Sequence, residues 1–181
     1  VASGSVVPKE LAIRATYFAP FAELVAETGL DFAAATLVLG ACASATLALG
    51  VAKRWLERGV CDIVFAGGFD EVTPFVASGF EVLRATSASV PSVPFRAARD
   101  GMALGEGAAL VALMRAEDVR DLSARDSAFF VHGFGAASDA VHLTAPDRSG
   151  DGLRRAGALA IEDAGAASAS LTARRAAVAL F

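Results

Sequence analysis

Ala35-Thr36-Leu37-Val38-Leu39-Gly40-Ala41-Cys42-Ala43-Ser44-Ala45, with the run to Arg58 and then Asp62-Ile63-Val64-Phe65-Ala66-Gly67-Gly68, decides the fold class of this chain. Residues 35–40 are apolar without alternation, the pattern of a strand buried on both faces. Cys42 to Arg58 reads as a helix, with Leu47, Gly50, Val51 and Trp55 at helical spacing and Gly59 as its stop. Lys53, Arg54, Glu57 and Arg58 crowd its end, where cations suit the negative pole. Residues 62–66 read as a second buried strand, ended by Gly67-Gly68. Strand, helix and strand in this order predict a βαβ unit with a parallel sheet, and so an α/β protein.

The flanking sequence extends the pattern. Lys9 to Thr28 reads as a helix broken near Pro20 and closed by Gly29. A helix is expected over 74–85, around Phe75, Phe80 and Leu83, followed by a long loop over 86–101. Such long connections are often functional. Residues 108–114 and 129–134 read as strands, 152–165 as an amphipathic helix, and 176–181 as the start of a further strand. The charged, polar stretch 115–127 is the best internal boundary. From Phe32 to Ala52 no residue is charged, a length that could span a bilayer. Its content of Ala, Thr, Ser and Gly, and its change of character in the middle, favour strand, turn and helix over a membrane span.

Composition excludes several classes. The chain has 181 residues, 55% apolar and only 20% charged, which is too hydrophobic for a disordered chain and enough for one domain, or one and a part. The net charge is −4 and no basic block stands out, so nucleic acid is a poor partner. Two cysteines, Cys42 and Cys61, make no disulfide framework and suggest a reducing cytoplasm. The start shows no signal peptide. The abrupt start at Val1 and the apolar end at Val178-Ala179-Leu180-Phe181 suggest a fragment of a larger protein.

Cys42 is the strongest chemical candidate. It sits where a strand turns sharply into a helix, between the small residues Ala41, Ala43 and Ser44. Unpaired N–H groups and the positive pole of the first turn favour a thiolate there. The same N–H groups can stabilise an oxyanion on an acyl group held by sulfur. The plainer reading is a buried structural cysteine. Cys61 opens a strand, lacks such a turn and reads as structural. His142 lies in Ser138-Asp139-Ala140-Val141-His142-Leu143-Thr144-Ala145-Pro146, after the strand at 129–134. A loop at the end of a strand is where α/β proteins place catalytic groups, and a neutral imidazole there could donate to a thioester carbonyl. A solvated loop histidine is the alternative. His132, within the expected strand, reads as a packing or surface residue. No ligand spacing for a metal is present, and no cofactor is implied. Arg99 to Ala108 has three glycines but lacks the Gly-Lys-Ser/Thr ending of a phosphate loop, so Gly105 and Gly107 read as close backbone contacts and Glu106 as aimed at a buried partner.

Taken in order, these motifs resemble the β-ketoacyl-(acyl carrier protein) synthases of the thiolase superfamily. The matching pieces are Ala41-Cys42-Ala43-Ser44-Ala45; Asp62 to Gly68; Val93-Pro94-Phe95-Arg96 with Arg99-Asp100-Gly101 and Leu104-Gly105-Glu106-Gly107-Ala108; and Gly133-Phe134-Gly135 with Ser138-Asp139-Ala140 and His142 to Pro146. They cover roughly residues 35–165. The resemblance implies a layered α-β-α-β-α fold, incomplete in this chain. Residues 1–120 would be the latter part of the N-terminal thiolase-like half, and 121–181 the start of the C-terminal half. It implies that Cys42 accepts an acyl chain as a thioester, and that His142 matches the first of two histidines holding the malonyl carbonyl while carbon dioxide leaves. Phe95 and the Arg99 to Glu106 loop would lie near the site, with Glu106 a structural, ion-pairing acid.

The implied activity is a decarboxylative Claisen condensation in fatty-acid or polyene and polyketide-type biosynthesis. The implied partners are acyl carrier protein bearing acyl and malonyl thioesters, and a second subunit in a homo- or heterodimer. The family's second histidine in a His-Gly-Thr motif, its supporting Lys and its late Gly-Phe-Gly loop have no counterpart in these residues, so the chain alone is expected to be inactive. Two rivals share part of the pattern. A coenzyme A-dependent thiolase or acyltransferase has the Cys turn, and a non-catalytic chain-length partner would typically lack the nucleophile.

Overall fold

The computed structural model describes residues 8–119, 129–142 and 145–168. Two short helices open it, α1 (Lys9–Arg14) and α2 (Phe18–Thr28). The expected single helix breaks at 15–17 rather than near Pro20. Pro20 instead occupies the first turn of α2, where its missing N–H would have had no intrahelical partner. Gly29 closes α2 with φ 61°, the left-handed cap expected of it.

Residues 35–40 do not form the expected strand. Among the described residues they have no ladder partner, and a strand exists only through its partner. The chain passes through a 3₁₀ turn, Ala41–Ala43, into α3 (Ser44–Glu57). Gly59, at φ 66°, turns it toward β1 (Ile63–Asp70). β1 runs through Gly67-Gly68 instead of ending there. α4 (Pro74–Val82) follows, with Thr73 Oγ1 accepting from Val76 N as its N-cap. The loop returns as β2 (Gly107–Met114), and after a second 3₁₀ turn (Ala116–Asp118) and the interval to 129 the last described helix is α5 (Asp151–Ser168).

β1 and β2 pair antiparallel, from Ile63 opposite Met114 to Asp70 opposite Gly107. The parallel pair expected between 35–40 and 62–66 is not formed among the described residues, and β1 pairs instead with the later strand. β1 is covered on one face only, with Ile63 and Phe65 exposed on the other, and the direction of its pairing is set by the path of the return loop. Val64 and Ala66 lie on one face of β1 and pack with Leu113 against Ala52 and Leu56 of α3, the centre of the core. Gly68 shares that face, and a Cβ on it would press on Ala45, so the first turn of α3 sits directly on the sheet. Arg115 closes the far end of the hairpin by donating to Asp62 Oδ1 over 2.6 Å and to the Cys61 carbonyl over 3.3 Å.

Residues 129–134 form no strand among the described residues, against expectation. Gly133 and Gly135 instead lie flat on the α5 backbone, where a Cβ would overlap the Ala160 and Ala156 carbonyls. The Phe134 N–H donates to a side chain, Asp163 Oδ2, over 2.9 Å rather than to a ladder. The Phe134 ring fills the space left by the missing side chain of Gly50. α3 is thus a central layer, with the β-hairpin on one face and residues 133–135 and α5 on the other. The expected strand at 176–181 and most of the 115–127 boundary lie outside the described residues. Among the described residues no helix is long and apolar enough to cross a membrane.

Candidate active site

Cys42 lies in the 3₁₀ turn that leads into α3, and it is exposed. The turn is tight because Ala41 adopts φ 50°, the left-handed region that costs a non-glycine residue about 1 kcal/mol or more. Ser44 holds the turn from both sides. Its Oγ accepts from Gly40 N at 2.8 Å and donates to the Ala41 carbonyl at 2.7 Å. The Ala43 N–H returns to the Gly40 carbonyl at 3.1 Å, and the Ser44 N–H to the Ala41 carbonyl. Those donors are spent on the turn, whereas the Cys42 N–H has no acceptor among the described residues. The thiol and one backbone donor therefore come from the same residue, the arrangement an acyl-bearing sulfur needs for its carbonyl oxygen.

Cys42 opens on an apolar cavity of about 1530 Å³ between residues 30–39, β1 and α4, with Val38, Phe65, Val76, Gly79 and Phe80 in its wall. Cys61 is half-buried just ahead of β1, in the wall of the same cavity.

His142 is exposed and does not line that cavity. Its Nδ1 accepts the Ala145 N–H at 3.2 Å, so a neutral ring carries its proton on Nε2 and is a donor there. The loop before it is anchored on α5. Asp139 Oδ2 accepts from Asp147 N at 2.9 Å, Arg155 donates to the Ser138 carbonyl at 2.7 Å, and Gly152 leaves room for the Asp139 carboxylate. Ala140 adopts φ 54°. Both candidate residues thus follow closely on an alanine in the left-handed region. His132 is half-buried beside the Phe130 ring, and its Nε2 has no hydrogen-bond partner among the described residues.

One expectation about the glycine-rich loop changes. Glu106 is exposed, and its Oε2 accepts from the Val72 backbone N–H at 3.2 Å instead of meeting a buried or ionic partner. It ties the two strands together just beyond their last pair, where no ladder bond remains. Phe95 points wholly into solvent, with φ 62°. Asp100 does the work of ordering the loop. Its carboxylate accepts from the Ser87 and Ser89 hydroxyls and the Ala88 N–H, which hold its carboxyl below the usual range. A Cβ on Gly101 would overlap the Thr86–Ser87 backbone, so the two loop arms touch only because it is glycine.

One cluster escaped the reading of the sequence. Lys53 is buried rather than solvated at the helix end, and pairs with Glu57 and, at 2.9 Å, with Asp163. Arg54 joins Glu57 at 3.1 Å and Asp163 at 3.0 Å. Burial alone would lower the Lys53 ammonium, but its hydrogen bonds to Glu57 and Asp163 outweigh that and hold it above its ordinary value. For Asp163, burial pushes the carboxyl up, and the hydrogen bonds from Lys53 and the Phe134 N–H bring it below its ordinary value. The signal was present in the spacing, since Lys53 falls three residues after Gly50 and three before Leu56, on the buried side of α3. Among the described residues no group of His, Cys, Asp and Glu could hold a metal ion.

The family model described as Beta-ketoacyl synthase, N-terminal domain, matches residues 28–119. A 3-oxoacyl-[acyl-carrier-protein] synthase 2 of Staphylococcus aureus is 35% identical over 130 residues, which cover 69% of this chain and 32% of that protein. The chain thus spans about a third of the length of the curated relatives it matches. A ketosynthase of solved structure in complex with its chain length factor, from Xenorhabdus doucetiae, is 29% identical with a TM-score of 0.58, over 68% of this chain and 29% of that one. The fold likeness extends further in a type II PKS acyl-carrier protein complex with its ketosynthase bound to the hexaketide. There the TM-score is 0.73 at 23% identity, over 88% of this chain and 40% of that one.

Proposed function

The chain belongs to the β-ketoacyl synthase family and has the ketosynthase type of α/β fold, and from that premise we propose that it carries the nucleophile of a decarboxylative Claisen condensation. The Cys42 thiolate attacks the thioester of an acyl group on a carrier protein. The carrier's thiol leaves, and the acyl chain stays on sulfur. A malonyl thioester then loses carbon dioxide, its enolate carbon attacks the Cys42 thioester carbonyl, and the thiolate is released as the β-ketoacyl product forms.

The observation that carries this reading is the exposed thiol in a strained 3₁₀ turn ahead of α3, with its own N–H unspent, facing an apolar cavity. That N–H donates to the developing oxyanion. The cavity receives the acyl chain. His142, with its proton on Nε2, donates to the malonyl thioester carbonyl. The partners are acyl carrier protein, which the ketosynthase likeness supports, and a second subunit of the same fold, as in the ketosynthase and chain length factor pair. Residues 1–120 and 121–181 belong to the two halves of the fold, a division supported by the family's N-terminal domain match ending at residue 119.

Incubation with an acyl-carrier protein, followed by peptide mass spectrometry, tests the reading. The acyl mass should appear on the Cys42 peptide and vanish in Cys42→Ala. Acyl transfer that survives in Cys42→Ala sinks it, and acylation by acyl-coenzyme A alone would move the chain to the thiolases.

A further inference from the structure

Asp163 is the one place among the described residues where α3, the helix that follows the Cys42 turn, and the segment leading to His142 meet on a single carboxylate. Oδ1 accepts from Arg54 at 3.0 Å; Oδ2 accepts from Lys53 at 2.9 Å and from the Phe134 N–H at 2.9 Å. Two of these donors sit on α3 and the third on the 129–142 segment. The contact is 16% exposed at Asp163 and 8% at Lys53, so it is only weakly screened. Charge is balanced within it, Lys53 and Arg54 against Glu57 and Asp163. Loss of Asp163 leaves an excess cation and an unpaired N–H in the same joint.

Shape fixes the joint as well. The Phe134 ring fits α3 only because Gly50 has no side chain, while Gly133 and Gly135 let the same segment lie on the α5 backbone. The segment is therefore held between two helices, and its sliding is opposed by the bond from its own N–H to Asp163. The Cys42 turn, by contrast, is fixed by local bonds of Ser44 and needs nothing from α5.

We propose that Asp163 is a positioning residue that sets the register of the helix after the Cys42 turn against the segment carrying His142, so that condensation depends on it and acylation of Cys42 does not. The inference rests on the proposed condensation, and it separates two steps of it. Acylation uses only the Cys42 turn. Condensation brings a second thioester between the two elements, and a misplacement near 1 Å can cost on the order of a hundredfold in such a step.

The test compares Asp163→Ala, Asp163→Asn and Gly50→Ala in the active protein. Two rates are measured, acyl transfer from acyl-carrier protein to Cys42 and condensation with malonyl-carrier protein. 4-Fluorophenylalanine at position 134 reports the ring environment by ¹⁹F NMR. Asp163→Ala should slow condensation by about tenfold or more with acylation within about twofold, and should shift the ¹⁹F signal. Asp163→Asn keeps an oxygen for the Phe134 N–H and should recover part of the loss. Gly50→Ala displaces the ring without touching a charge, and should reproduce the split if Asp163→Ala does not fold. Condensation at the parent rate in Asp163→Ala, or an equal loss in both steps, overturns the proposal. Condensation that survives in Cys42→Ala overturns the nucleophile assignment instead.

Discussion

Lys53 and Asp163 meet at 2.9 Å between α3 and α5, and both are held in their charged forms by that meeting. The Asp163 carboxyl lies below its ordinary value, so its contribution to stability is complete above about pH 4 and is lost as pH falls through the lowered value. The Lys53 ammonium lies above its ordinary value, so its contribution is complete below about pH 10 and is lost as pH rises through the raised value. Urea midpoints should therefore be flat in neutral solution as far as this pair is concerned, and fall in acid. Asp163→Ala should cost about 1–3 kcal/mol at pH 7, the penalty for stranding a buried donor, with a shallower acid limb than the parent. An acid limb of unchanged steepness would show that Asp163 does not contribute to it.

Cys42 and Cys61 should separate in reactivity. Cys42 is exposed in the turn ahead of α3, where a reagent reaches it freely, whereas Cys61 is half-buried ahead of β1. Iodoacetamide at neutral pH, followed by peptide mass spectrometry, should label Cys42 about tenfold faster or more. Faster labelling of Cys61 would remove Cys42 from the nucleophile's role.

His142→Ala should slow malonyl-thioester decarboxylation more than acyl transfer to Cys42. The Ala145 N–H donates to Nδ1, which puts the proton of a neutral ring on Nε2. Loss of one oriented donor to a developing negative charge costs about 3 kcal/mol of barrier, a factor of roughly a hundred. Stopped-flow release of carbon dioxide measures the step. Decarboxylation at the parent rate would take His142 out of the site.

Two glycines should respond oppositely to the same substitution. A Cβ on Gly67 would overlap the Ala109 carbonyl of β2, so Gly67→Ala must part the two strands. It should destabilise by about 2 kcal/mol or more, as other overpacking does. Gly79, inside α4, has open space around its Cβ position. Gly79→Ala should be neutral or stabilising by up to about 1 kcal/mol, through helix propensity. Denaturant melts of both variants check the contrast, and equal effects would contradict the β1–β2 register.

The local features were legible because their causes are local. Gly29 and Gly59 end helices since the left-handed region is open to glycine, and the helical spacing of 44–57 and 151–168 follows from apolar residues on one side. The sharp turn at Cys42 could be read from its small neighbours alone, although the strand expected ahead of it is not formed among the described residues.

Tertiary structure decided what depends on a partner. The apolar runs 35–40 and 129–134 have the composition of strands, yet a strand needs a ladder, and the second gives its Phe134 N–H to Asp163 instead. The direction of β2 against β1 came from the path of a long loop, which composition does not encode. Lys53 looked like a cation at a solvated helix end until Asp163, far along the chain, supplied the charge that lets it be buried. Sequence spacing determined which face of α3 each side chain takes; only the arrival of α5 and Phe134 on that face determined what each side chain touches there, because burial of a charge is settled by its partner and not by its neighbours in the chain.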